Sequence, residues 1–168
     1  MARDKFIMEF SLALPYPELS GKITNDELIE LYDLYAGRFS ELTAVTTYSY
    51  QSVIVNDCNL STIFEKIAES EMVHLSKLAK AIFFFGGAPV YAGKYNYFSG
   101  SYADYESDLK QIILNNAQGE RQAIYAYKQL ATRTQNQSLC ELLSRIAMDE
   151  ELHLNLLEKI YNEINICE

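Results

Sequence analysis

Apolar residues recur at intervals of three and four along four long stretches of the chain and nowhere alternate with period two, so the pattern predicts four helices and no sheet. The stretches cover about residues 25–56, 60–85, 106–133 and 138–164. Thr24-Asn-Asp-Glu27 and Ser138-Leu-Cys-Glu141 read as capping boxes opening the first and fourth helices. Asn56-Asp57-Cys58-Asn59 and Thr134-Gln135-Asn136 read as turns, and Gly86-Gly87 followed by Pro89 stops the second helix. Residues 1–24, with Pro15 and Pro17, read as an extended N-terminal segment. The predicted class is all-α, one domain over residues 1–168.

Residues 86–105 differ in composition from the helices. Tyr91, Tyr95, Tyr97, Phe98, Tyr102 and Tyr105 interleave there with Gly and Ser. At ~3.3 Å per residue such a stretch can span a 30-residue helix. It therefore predicts a packed crossover from one end of a four-helix bundle to the other, in preference to a mobile surface loop.

The second and fourth helices carry the same motif. Glu71-x-x-His74 superposes on Glu150-x-x-His153 with an offset of 79 residues. The same offset carries Glu41 onto Glu120, Ala44 onto Ala123 and Tyr48 onto Tyr127, so the chain reads as two copies of a helical hairpin. The midpoints of Glu41/Glu71 and Glu120/Glu150 fall at residues 56 and 135, inside the two predicted turns. Each glutamate should then face its partner pair in mid-helix, ~22 Å from the turn. With a crossover, all six residues meet at the waist of the bundle.

All four glutamates also lie on apolar stripes: Glu71 follows Ile67 by four residues and Glu41 follows Leu34 by seven. Four unpaired carboxylates in a core would each cost several kcal/mol. Two divalent cations supply the compensating charge, and the histidines complete the donor set, because residues three apart on a helix project toward one point. One Glu from each of two helices with Glu-x-x-His from the other two is the donor set by which helical bundles hold two metals. Glu41, Glu71, His74, Glu120, Glu150 and His153 are thus the predicted metal ligands.

Composition narrows the class of function. Apolar residues make up 49% and charged residues 22%, an ordinary globular balance. The net charge of −9 opposes binding to nucleic acid or to an anionic membrane. No apolar run approaches the ~20 residues of a membrane span, and Met1 to Phe10 is too charged for a signal peptide. Cys58, Cys140 and Cys167 form no Cys-x-x-Cys pair, which points to a reducing, cytoplasmic setting. On the crossover topology Cys58 and Cys140 lie ~45 Å apart, beyond reach of a disulfide.

Further residues fall near the predicted site. Asp149 can accept a hydrogen bond from His74 or His153, or simply be solvated in mid-helix. Tyr48 and Tyr127 can line the site as hydrogen-bond donors or radical traps, or serve as core packing. Glu69 and Glu151 read as solvated.

On these six residues the chain resembles the ferritin-like superfamily, in particular its rubrerythrin, bacterioferritin and manganese-catalase branches, over residues 25–164. The segments Tyr35-Ala-Gly-Arg-Phe-Ser-Glu-Leu-Thr-Ala44 and Phe85-Gly-Gly-Ala-Pro89 are similar to small rubrerythrin-like proteins. The resemblance implies a non-haem centre of two iron or two manganese ions per chain that acts on hydrogen peroxide or dioxygen. An iron peroxidase needs a separate electron donor, and a homo-oligomer is expected. Departures are the absence of a rubredoxin-type Cys pair, Ala123 in place of a further carboxylate, and no fifth helix of the storage type. Met72 occupies the position of a haem-ligating Met of bacterioferritin, but reads as a helix-flank residue, so haem is not expected. The leading expectation is a peroxidase- or catalase-type oxidoreductase. A ferroxidase coupled to iron storage and a structural subunit with a vestigial site are the alternatives.

Overall fold

The computed structural model describes residues 9–166. It contains five α-helices: α1 (Asn25–Ala36), α2 (Glu41–Ile54), α3 (Cys58–Phe84), α4 (Leu109–Arg133) and α5 (Gln137–Ile166), with a 3-10 turn at Gly100–Tyr102. No helix among the described residues is long and apolar enough to cross a membrane. The architecture is a four-helix bundle in which α1 and α2 together form the first of four helical columns. α2 packs along α3 and α4 along α5, giving two antiparallel hairpins.

The first column corrects the sequence expectation. The helix expected over 25–56 is broken at residues 37–40, where the apolar period passes through without a signal. Gly37 ends α1, and a Cβ there would lie 2.5 Å from the Asp33 carbonyl. Ser40 then restarts the helix by accepting the Thr43 N–H. Glu41, expected in mid-helix, is consequently the first residue of α2. A smaller correction concerns α5. Its first turn is capped by Asn136, whose Oδ1 accepts the Leu139 N–H at 2.9 Å, while the Ser138 hydroxyl donates to the Ser20 carbonyl. The capping box at Thr24 forms as the sequence suggests, with Thr24 and Glu27 satisfying each other's backbone N–H.

The crossover from α3 to α4 runs alongside the first column. Tyr32 donates to the Ala88 carbonyl at 2.6 Å, the Lys94 N–H to Asp33 at 3.1 Å and the Asp104 N–H to Thr47 at 3.0 Å. Tyr35 stacks on Tyr91, and Tyr50 meets Tyr105 edge-on. At the break, Gly93 lies so close to Gly37 that a Cβ would sit 2.6 Å from its Cα. The segment is therefore packed, although Tyr95 and Tyr97 point outward.

Residues 9–24 precede α1 without helix and run antiparallel to α5, in the groove it makes with α3. Asn136 Nδ2 donates to the Ser20 carbonyl at one end, and Ser70 Oγ to the Phe10 carbonyl at the other. Two apolar clusters fill the bundle, one around Leu31, Leu78, Leu143 and Ile146, the other around Phe64, Ile67, Ile113 and Leu157. A layer of buried polar side chains separates them. Cys58, at the start of α3, and Cys140, in the first turn of α5, are free thiols; Cys167 lies outside the described residues.

Candidate metal centre

The polar layer is built by the four long helices. α3 brings Glu71 and His74 inward on the stripe that carries Ile67 and Leu78, and α5 brings Glu150 and His153 on the stripe of Ile146 and Leu157. α2 contributes Glu41 and α4 contributes Glu120. All six side chains are buried, both histidines completely. They fall into two groups whose ligand atoms lie within 4.8 Å of one another: Glu41, Glu71, His74 and Glu150 in one, Glu71, Glu120, Glu150 and His153 in the other. Glu71 and Glu150 belong to both.

The histidines are oriented from behind. His74 Nε2 donates to Asp149 Oδ2 at 3.2 Å, and His153 Nε2 donates to the Phe10 carbonyl at 2.8 Å. A carboxylate and a carbonyl can only accept, so Nε2 carries the proton in each ring. Nδ1 is left facing the carboxylates, 3.0 Å from Glu150 Oε1 for His74 and 2.9 Å from Glu71 Oε1 for His153. Asp149 also accepts from Ser11 Oγ at 2.8 Å and the Leu12 N–H at 2.8 Å, and pairs with Arg145 at 2.7 Å. Tyr48 donates to Glu120 and Tyr127 to Glu41, each tyrosine bridging from its own hairpin to the other.

Electrostatics divide the glutamates into two kinds. Burial, reinforced by the charge of Glu71, raises the pKa of Glu41 to about 8. Burial and the charges of Glu150 and Glu71 push Glu120 well above the carboxylate range. Burial acts in the same direction on Glu71 and Glu150, but donors around them, the histidines among them, hold both below it. The histidines are pushed well up despite burial, by Glu150, Glu41 and Asp149 for His74 and by Glu150 and Glu71 for His153. Asp149 is held far below the usual range against burial by His74, the Leu12 N–H, Arg145 and Ser11.

The donor set suits divalent ions. Glu41 Oε2, Glu71 Oε1 and Glu150 Oε1 are buried and lack a well-aligned hydrogen-bond donor. Unsatisfied carboxylate oxygens of this kind are costly without a cation. A cavity of about 320 Å³ opens on the layer between α2 and α4, with Glu41, Glu71, Glu120 and Glu150 in its floor and Ala44 and Ala123 in its walls. Its rim includes Arg38 and Phe39 at the break before α2.

Of the residues singled out from the sequence, the six glutamates and histidines converge, and Asp149, Tyr48 and Tyr127 touch them. Met72 is exposed on the outer face of α3. Glu69 pairs with Lys66 and Glu151 with Lys128 at the surface. Sequence reasoning missed Phe10, Ser70 and Arg145. The repeat offset, which carries Ser70 onto Asp149, and the spacing of Arg145 four residues before Asp149 were the available signals.

The sequence profile of the Rubrerythrin family matches residues 34–161. No curated protein matches. Among solved structures, a manganese catalase from Anabaena PCC7120 (KatB) superposes with a TM-score of 0.81 at 20% identity, covering 94% of this chain and 81% of that one. A dodecameric thioferritin, the bacterioferritin-related protein of Bacteroides fragilis, gives 0.71 at 22%, covering 88% and 91%. A Desulfovibrio desulfuricans bacterioferritin gives 0.64 at 25%, covering 83% and 81%. The two structures below 25% identity speak for the fold; the profile, which spans α2 to α5 and all six buried ligand candidates, speaks for descent, and the chain belongs to the rubrerythrin family of the ferritin-like superfamily.

Proposed function

We propose that Glu41, Glu71, His74 and Glu150 hold one divalent ion, that Glu71, Glu120, Glu150 and His153 hold a second, and that this centre of iron or manganese acts on hydrogen peroxide. The carrying observation is the overlap of the two groups: two glutamates common to both, inside 4.8 Å, with three buried carboxylate oxygens that lack a well-aligned donor. Carboxylate and imidazole donors without thiolate suit both metals. When bound, the pair supplies Lewis acidity and electrons for breaking an O–O bond.

The chain's own residues do the rest. The cavity between α2 and α4 gives a small oxidant a path to four of the ligands, and Ala44 and Ala123 keep it open. Tyr48 and Tyr127 fix Glu120 and Glu41 and hold a phenolic proton beside the reacting position. On the opposite side, residues 10–16 close the groove between α3 and α5, so that the oxidant enters from one face. With iron, a separate electron donor completes the cycle; with manganese, disproportionation of peroxide needs none.

A ferroxidase role, with dioxygen as oxidant and iron as cargo, is the second reading. It is supported by the 25% identity to a bacterioferritin. We also infer a homo-oligomer, for which the exposed Met72 and Val73 of α3 offer apolar surface. A measurement of particle size separates a dimer or small oligomer from a storage shell.

The deciding experiment is anaerobic loading with Fe(II) and Mn(II) in competition, beside a His153→Ala chain. Two ions per chain, reduced in the variant, followed by peroxide consumption, is the expected result. Absence of stoichiometric uptake by the folded protein would sink the enzymatic readings together.

A further inference from the structure

The two halves of the centre are backed by different kinds of partner. Asp149 on α5 reaches His74 on α3, but its counterpart in the first hairpin is Ser70, which has no carboxylate to offer His153. The vacant role is filled by backbone: the Phe10 carbonyl accepts from His153 Nε2 at 2.8 Å and from Ser70 Oγ at 3.0 Å. The segment that carries it is tied down next to the site. The Leu12 N–H and Ser11 Oγ donate to Asp149, each at 2.8 Å, and Tyr16 OH does so at 3.3 Å. Arg145 donates to the carbonyls of Leu12 at 2.6 Å and Leu14 at 3.2 Å. Lys77 and Arg145 each pack on the Tyr16 ring, 4.4 and 4.8 Å from its centroid.

We propose that residues 10–16 form a positioning strap for one half of the centre: the metal position of His153 and Glu120 takes its partner directly from this segment and depends on it more steeply than that of His74 and Glu41, whose partner Asp149 sits on a helix. The inference rests on the metal pair proposed above. Its physical basis is the contrast in fastening. Asp149 sits on a helix, beside Glu150, and keeps Arg145 as partner whether or not the strap is seated. Phe10 lies on non-helical chain without a sheet or helix of its own, the kind of segment that opens locally at low free-energy cost. A carboxylate partner also makes a charge-assisted bond and a more basic imidazole than a carbonyl does. Loss or change of such a partner typically alters metal affinity by ~10–100-fold. The position of His74 therefore fills first and that of His153 second.

The test is an anaerobic titration with Co(II), read by its visible spectrum, on the full chain and on two full-length variants. Leu12→Pro removes the N–H that ties the strap to Asp149. The second variant adds Ser70→Asp to it, placing a carboxylate opposite His153 as Asp149 stands opposite His74. The unaltered chain should take two ions in two steps. Leu12→Pro should weaken the second ion at least tenfold more than the first, which keeps Asp149 and Arg145 behind His74, and Ser70→Asp should restore the second. Equal effects of Leu12→Pro on both ions, or none on either, would overturn the proposal. Failure of the unaltered chain to bind two ions would instead refute the functional reading. Should Leu12→Pro not fold, the cobalt-loaded unaltered chain decides. The ring N–H of His153 should exchange with solvent as fast as the amide of Leu12 and faster than that of His74, and equal protection of both rings would refute the strap.

Discussion

Loading the centre with metal should release about four protons per chain near pH 6.5. The number follows from the charges of the buried layer. Without metal, Glu41 and Glu120 are neutral there, because burial and neighbouring carboxylates raise them, Glu41 to about 8. Glu71 and Glu150 stay ionised, and His74 and His153 are protonated under the influence of those carboxylates. The layer is thus neutral, with two negative and two positive groups. Two divalent ions bound to four carboxylates and two neutral imidazoles are neutral as well. The exchange removes one proton from each of Glu41, Glu120, His74 and His153. Each proton contributes ~1.4 kcal/mol per pH unit, so joint binding of the pair should strengthen by ~5 kcal/mol per unit of rising pH around 6.5. Calorimetric titration with Zn(II) or Mn(II) in buffers of different ionisation enthalpy counts the protons. Release of one or none at pH 6.5 would refute the reasoning, for either the layer is ionised without metal or the ions bind elsewhere.

The same groups set the stability of the metal-free protein. Glu41, Glu120, His74 and His153 bind protons more tightly folded than unfolded, so stability present below pH 4.5 for the glutamates and 6.5 for the histidines is lost as pH rises through their folded values. Its melting temperature should fall from pH 5 to pH 8, whereas that of the metal-loaded protein should rise over the same range. Asp149→Ala leaves the buried Arg145 without its carboxylate and should cost about 3–5 kcal/mol in urea unfolding; a loss under 1 kcal/mol would show that the strap carbonyls suffice for Arg145. Ala123→Phe should fill the cavity over the site, leaving two metals bound but slowing peroxide consumption roughly tenfold, about 1.4 kcal/mol of barrier. Unchanged turnover would place the entry route elsewhere. Tyr48→Phe removes the donor to buried Glu120 and should destabilise the metal-free chain by about 1–3 kcal/mol.

Two features of the site show where the reach of sequence ended. The six-residue convergence was legible because a glutamate on an apolar helical stripe is anomalous, and one offset of 79 carries both such glutamates of the first hairpin onto those of the second. The break before α2 was not, because Leu34 and Glu41 keep their seven-residue spacing across it and periodicity does not register where backbone hydrogen bonds stop. Gly37 and Ser40, a stop and a start signal three residues apart, were present but outweighed by the longer pattern. Ser138 was mistaken for a cap because its hydroxyl, one residue inside α5, is engaged by the distant Ser20 carbonyl while Asn136 caps the helix.

The sequence by itself determined the all-helical class, the hairpin pairing, the long crossover and the convergence of six side chains, since each follows from the period of side chains along one helix and their distance from a turn. Which glutamates are common to both groups, which ring nitrogen faces them and what stands behind each histidine were decided only in three dimensions. Glu71 and Glu150 take the central places because their helices, α3 and α5, also carry the histidines. The partner of His153 is a main-chain carbonyl of Phe10, 143 residues away. A carbonyl is common to every residue, so no side-chain pattern could mark this one; only the packing of residues 9–24 into the groove between α3 and α5 brings it to the ring.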